Sequence, residues 1–291
     1  MITWIKNGQE LRLDTKPFIL MAHDNFGMVS APRIEDSAPQ QHGTTDRGFK
    51  LPARNIVLYI ELFGDNWEHY YQLRDSLIRW FSADMEAGIL RVQEGGFIRE
   101  ISGYVVDGLG FPDSERSFQS HVVPVVIHCP DPLWRSAEEF IATIQGGGSL
   151  DVGAVPTVIP FTVGTSTFNT FESVNYLGSF DSAPESVKIV GPITDPVISN
   201  SGTGKQSNIA KIDFTGTTIA AGDYFLIELG YGKNTIVDKY GNNKIDKLSP
   251  DSDLAGFVFS ATKPNSVNVT GSAIAGETLV QFLWREKYLG I

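Results

Sequence analysis

Only one stretch of this chain carries a helical period, and that constrains the fold more than any other feature. Tyr70, Leu73, Leu77 and Phe81 recur at spacings of three and four, with Trp67 and Trp80 widening the stripe. Asp65 followed three residues later by Glu68 has the form of a capping box, with Asp standing in for Ser or Thr. Just before it, in residues 54–63, Ile56, Leu58, Ile60 and Leu62 alternate with Val57, Tyr59, Glu61 and Phe63. Both faces of that segment are largely apolar, which predicts an inner strand with much of both sides buried. A lone amphipathic helix has to pack on something, and the flanking strands are the available sheet.

Strand signals dominate elsewhere. Residues 2–6 and 10–14 flank Asn7-Gly8, a pair that tolerates the positive φ of a tight hairpin turn. Residues 18–22 are another apolar strand. Residues 35–50, with Pro39, Gly43 and Gly48, read as a long loop or an exposed hairpin. Residues 88–92 and 97–106 are separated by the turn Glu94-Gly95-Gly96. Residues 117–129 become continuously apolar around Pro124, and a proline there implies an edge or a bulge. The stiff turn Cys129-Pro130-Asp131-Pro132-Leu133-Trp134 stops that strand.

At 291 residues the chain is long enough for two cores. Three consecutive glycines in Gln145-Gly146-Gly147-Gly148-Ser149 mark the expected boundary, dividing residues 1–145 from residues 150–291. The second part is rich in Ser, Thr, Asn and Gly. Its strand candidates are 157–163, 186–190, 197–200, 208–214, 224–229, 235–237, 257–259, 266–270 and 278–284. Many short strands punctuated by turns predict an antiparallel sandwich or jelly roll.

Charge and composition exclude several functions. Apolar residues at 42% and charged residues at 20% are ordinary for a globular chain. A net charge of -11 with no basic run makes a poor grip on phosphates. Ten arginines precede residue 146 and one, Arg285, follows it. That skew suits protein contacts in the first part, or is simple drift between two domains. Cys129 is the single cysteine, so no disulfide framework exists within the chain. The start lacks the pattern of a signal peptide, and no apolar run approaches the ~20 residues of a membrane helix. The expectation is a soluble protein made in a cytoplasm.

No catalytic or cofactor motif stands out. His23, His42, His69, His121 and His128 lie at no metal-ligand spacing from one another or from Cys129. Gly164-Thr165-Ser166-Thr167-Phe168 lacks the second glycine of a nucleophile elbow, and Gly108-Leu109-Gly110 lacks the rest of a dinucleotide loop. Asp238, Asn242, Asn243, Asp246, Asp251 and Asp253 offer oxygens to a hard cation, but Lys239, Lys244 and Lys247 interleave them and a solvated loop is the better reading. Among 34 acidic residues some pair will stand at a glycosidase spacing by chance, so carboxylates alone single out nothing. No cofactor, metal or catalytic residue is expected.

The order of features resembles the distal tail protein family of siphophages. The helix with Leu73-Arg74-Asp75-Ser76-Leu77 after a strand and a short polar turn is similar to that family's single helix. Ile127-His128-Cys129-Pro130-Asp131-Pro132-Leu133-Trp134 resembles the family's ending of its first domain. Pro196-Val197-Ile198-Ser199-Asn200, Ala221-Gly222-Asp223-Tyr224 and the closing Trp284-Arg285-Glu286-Lys287-Tyr288-Leu289-Gly290-Ile291 look like strands of its second domain. The resemblance implies a mainly β chain: an N-terminal β-sandwich with one α-helix, forming a hexameric ring, and a C-terminal galectin-like β-sandwich. It implies a virion protein at the tail tip, a homohexamer joining the major tail tube protein to the tail hub. The tape measure protein, and in many phages receptor-binding proteins, are further partners. DNA only passes through the lumen, no membrane is entered, and no catalytic residue is carried over.

Two hypotheses about the ring follow. Residues 35–50 and the turn at Gly95-Gly96 are candidate arms, since strand edges offer unpaired backbone groups to a neighbour. An acidic lumen would keep the duplex from sticking. The alternative function is a carbohydrate-binding module in host-surface adhesion, because such a sandwich can bind sugars. Tyr231 and Tyr240, flanking a Gly/Asn-rich stretch, are then the candidate carbohydrate contacts, whereas Trp284 reads as core. A wall-degrading enzyme is a more remote third reading.

Overall fold

A computed structural model describes residues 1–83, 86–111, 117–146, 168–202, 209–272 and 277–291. The chain divides into two compact units, Met1–Glu138 with Lys287–Ile291, and Glu139–Glu286. The second unit is thus inserted, in sequence, just before the last residues of the first. Gly147, Gly148 and Ser149, in the expected linker, lie outside the described residues. Gly146 ends a strand.

The first unit is built from β1 (Ile2–Lys6), β2 (Gln9–Arg12), β3 (Asp14–Thr15), β4 (Phe18–Asp24), β5 (Arg33–Asp36), β6 (Thr45–Phe49), β7 (Arg54–Leu62), α1 (Trp67–Trp80), β8 (Gly88–Glu94), β9 (Phe97–Val105), β10 (His121–Cys129) and β11 (Trp134–Ser136). Lys287–Tyr288, the last strand of the chain, completes it by pairing with β11. One hydrogen-bonded path runs β2-β1-β8-β9-β10-β7-β4-β3. It folds over at β9, which pairs with β10 only at Ile127↔Val105 and His128↔Tyr104. The two layers share a core: Trp4, Leu90, Val92 and Ile101 from one, and Ile56, Leu58, Ile60, Leu62, Val123, Val125 and Ile127 from the other.

β7 lies between β10 and β4, as an inner strand should. One of its faces is fully buried. Val57, Tyr59 and Glu61 on the other face are half-buried, so much of both sides is covered, as expected. Pro124 sits beyond the short stretch where β9 pairs with β10, on the same side as the Val126 carbonyl that accepts from Val106 N. Its missing N–H therefore interrupts no ladder. Residues 35–50 form a hairpin, β5 with β6, and not an open loop.

The helix uses its predicted face. Tyr70, Leu73, Leu77 and Phe81 are buried, and burying each such side chain contributes about 1.5–3 kcal/mol. Its cap differs from the expectation. Asn66, not Asp65, is the N-cap: its backbone is extended and its side-chain oxygen accepts from His69 N at 2.9 Å. The Asp65 carboxylate instead meets His69 Nδ1 at 3.0 Å. An N-cap's partner lies three residues on, which makes it His69 and not Glu68. At the other end, Trp4 Nε1 donates to Trp80 O and Lys6 Nζ donates to Ser82 O, placing a cation where the helix dipole is negative.

The second unit contains β12 (Phe140–Gly146), β13 (Phe168–Val174), β14 (Ser186–Val190), β15 (Ile193–Asn200), β16 (Ala210–Asp213), β17 (Thr218–Ile219), β18 (Tyr224–Glu228), β19 (Thr235–Asp238), β20 (Asn265–Ser272) and β21 (Thr278–Trp284); Lys287–Tyr288 of the first unit is β22. One sheet runs β12-β21-β14-β18-β19. The other runs β13-β20-β15-β16, with β17 on β15. Both sheets supply the same core, including Val187, Ile189, Ile227, Val280 and Phe282 from the first and Ile193, Ile198, Ile212, Val267 and Val269 from the second. This is a β-sandwich. Candidate strand 157–163 lies outside the described residues. Candidate 257–259 makes only an isolated bridge, Phe259 with Ser182, so its alternation reflects the burial of Phe257 and Phe259 and not a ladder.

Candidate interaction surfaces

Among the described residues no group of three or more His, Cys, Asp and Glu is placed to hold a metal. The histidines are dispersed. His23 stacks on Phe26, His69 meets Asp65, His121 Nδ1 shares a 2.6 Å hydrogen bond with Tyr70 Oη, and His128 Nδ1 lies 2.7 Å from Asn55 Oδ1. Cys129 is fully buried, and that burial pushes its thiol up to about 12, which keeps it protonated and inert at neutral pH. Gly108-Leu109-Gly110 follows β9, and residues 112–116 and 164–167 lie outside the described residues.

The arginine skew of the first unit resolves mainly into internal contacts. Arg12 pairs with Asp14, Arg33 with Asp46, Arg47 with Asp36, and Arg91 with Glu10 and Glu100. Arg99 lies over Phe97 and Tyr288. Arg54 is buried and donates to the carbonyls of Asn25, Gly27 and Leu289 at 3.1, 3.0 and 2.6 Å. These arginines act within the protein.

The surface of the first unit that most needs a partner is the β5–β6 hairpin. It forms a two-stranded sheet of its own. Nearly every residue in it is exposed, including Ile34 and Phe49. What joins its strands besides the ladder is exposed: the Arg33–Asp46 and Arg47–Asp36 ion pairs and a 2.8 Å bond from Thr44 Oγ1 to Glu35. Surface pairs contribute little, and a two-stranded hairpin is marginal without a surface to rest on. A second prominence is the β8–β9 turn, where Gly95 and Gly96 hold φ of 58° and 89° and Phe97 and Ile98 are exposed. A third is the outward side of α1, where Trp67, Tyr71 and Ile78 are exposed and Trp67 meets Phe118 edge-on at 5.6 Å.

In the second unit the structure separates the two tyrosines singled out by sequence. Both are exposed, Tyr231 at 63% and Tyr240 at 76%. Tyr240 lines a cleft of about 240 Å³ with Thr217, Thr218, Asp223, Tyr224 and Lys239, and Tyr231 is not part of that lining. Trp284 is core, stacked on Phe140 and edge-on to Phe259. The acidic stretch after β19 is a tied loop. Asp238 Oδ1 accepts from Tyr240 N and Asn242 N, each at 2.9 Å, and Oδ2 accepts from Asn242 Nδ2. These bonds, led by that of the Asn242 side chain, hold the Asp238 carboxyl down at about 2.

The comparisons with known proteins agree with this architecture. Residues 6–127 match the family model of the phage tail protein RIFT-related domain. No curated protein sequence matches the chain. Among solved structures it is similar to the Dit (gp 19.1) protein of phage SPP1, described as a paradigm of hub adsorption apparatus in phages that infect Gram-positive bacteria. That match has a TM-score of 0.64 at 14% identity and covers 98% of this chain and 99% of the other. The chain is also similar to a protein of the phage P2 baseplate in its activated, calcium-containing conformation, with a TM-score of 0.50 at 10% identity and 98% of both chains covered.

The folded-over sheet and its helix lie largely within residues 6–127, the stretch similar to the phage tail protein RIFT-related domain. Over its whole length the chain has a fold similar to that of the SPP1 Dit protein.

Proposed function

We propose that this protein is a structural subunit of a phage tail tip, in which six copies close a ring between the tail tube and the tip hub. The observation that carries this is end-to-end similarity in fold to the SPP1 Dit protein, around a phage tail domain matched in sequence. In this reading the first unit forms the ring, and the second is the galectin-like sandwich. The partners are the major tail tube protein and the tail hub, with the tape measure protein and receptor-binding proteins adjoining. DNA passes through the lumen, and the chain's net charge of -11 disfavours sticking. The role is assembly and not catalysis.

A ring needs a heterologous contact that closes by rotation. The β5–β6 hairpin suits it, because it lacks a core of its own and presents strand edges. Light scattering after gel filtration tests the reading: six chains of 31.9 kDa give a species of about 190 kDa. Deleting residues 38–48, which leaves both cores untouched, is expected to reduce that species to monomer. An intact ring in the deletion variant would refute the role of the hairpin. A chain that neither forms a ring alone nor assembles on purified tail tubes would refute the ring itself.

A further inference from the structure

We propose that the cleft beside Tyr240 in the second unit binds a neutral saccharide, taking one unit of a hydroxyl-rich chain against the tyrosine ring. Three observations support it, and none depends on ring assembly.

The first is the aromatic platform. Tyr240 is 76% exposed, yet its backbone is fixed by the Asp238 carboxylate, which accepts from its N–H and from Asn242 two residues on. A large ring on a tied turn gives up little freedom when a ligand lands on it. It takes no part in the buried core of this unit, and Lys239 Nζ lies 4.9 Å from the ring centroid, leaving the opposite face of the ring for a ligand.

The second is the polar lining. Thr217, Thr218, Asp223, Asp238, Lys239 and Lys244 line the same cleft, beside the apolar Ile219 and Phe225. Carboxylates accept, ammonium groups donate and threonine hydroxyls do both, which complements sugar hydroxyls. At about 240 Å³ the cleft holds part of a chain without enclosing it.

The third is charge balance, which decides between a neutral and an anionic ligand. Each lysine of the cleft already has a carboxylate: Lys239 pairs with Asp223, Lys244 with Asp238 at 3.3 Å, and Lys247 with Asp246 at 3.3 Å. A phosphate would have to compete with all three. A polyol would add hydrogen bonds to pairs that stay intact.

Saturation-transfer NMR on the full chain tests the site, with methyl hexopyranosides and N-acetylhexosamines as neutral probes and glycerol phosphate and inorganic phosphate as anionic ones. Transfer is expected to at least one neutral probe, concentrated on one face of its ring. Tyr240→Ala is expected to weaken binding at least about tenfold, Tyr240→Phe to retain it, and Tyr231→Ala to leave it unchanged. Thermal melting confirms that the variants fold. Transfer to no probe, transfer to phosphates only, or binding by Tyr240→Ala equal to the parent protein would each overturn the proposal.

Discussion

Arg54 shows how one side chain joins distant parts of the sequence. Its guanidinium is buried and donates to carbonyls of Asn25, Gly27 and Leu289. Burial lowers its affinity for the proton, with the nearby Cys129 opposing, but an arginine has ample margin to stay charged. Arg54→Ala would strand those carbonyls without a donor. The expected loss is about 2–4 kcal/mol in denaturant unfolding of the first unit. Asp238 makes the opposite kind of prediction. Its folded value of about 2 lies below the roughly 3.9 of a free aspartate. Its contribution is therefore fully present above pH 4 and is lost as pH falls through 2. The amide signals of Tyr240 and Asn242 should titrate with a midpoint near 2, and a midpoint near 4 would show that the turn is not tied as described.

Elements are where local signals and tertiary constraints meet. The helix face was legible because Tyr70, Leu73, Leu77 and Phe81 obey a period that only burial enforces. The cap was misplaced by one residue, since Asp65 and Asn66 are both good caps and the choice rests on which has an extended backbone. Asn66→Ala should cost about 1 kcal/mol in thermal or denaturant unfolding. Asp65→Ala, which removes only an exposed contact with His69, should cost much less. β12 escaped notice for a different reason: it runs straight into the glycines read as a linker, yet all seven of its residues pair with β21.

At the scale of the whole molecule, two cores imply two cooperative unfolding transitions. Residues 287–291 belong to the first. β22 pairs with β11, Leu289 O accepts from Val29 N and from Arg54, Ile291 N donates to Phe26 O, and Arg99 donates to Gly290 O. Gly290 lies so close to Gly27 and Met28 that an added Cβ would stand 2.6 Å from Gly27 C. Removing residues 287–291 should therefore lower the first unit's transition and leave that of Glu139–Glu286 in place. Scanning calorimetry distinguishes this from a shift of both.

By itself the sequence determined what local periodicity can encode. That includes the single helix and its buried face, the alternating strands 54–62 and 278–284, the Asn7-Gly8 and Gly95-Gly96 turns, and the order of features that resembles the distal tail family. It also singled out Tyr231 and Tyr240, without distinguishing them, as candidate carbohydrate contacts. Only the tertiary structure decided what depends on residues far apart. It folded one sheet over at β9, returned residues 287–291 to the first unit across the whole of the second in sequence, and paired most of the arginines named above with partners within the chain. It also placed Tyr240, and not Tyr231, beside Asp223 and Thr218 in a cleft. The physical reason is the range of the forces: φ preferences and hydrophobic period act within a few residues, whereas strand pairing, buried hydrogen bonds and clefts join groups whose distance along the chain carries no signal.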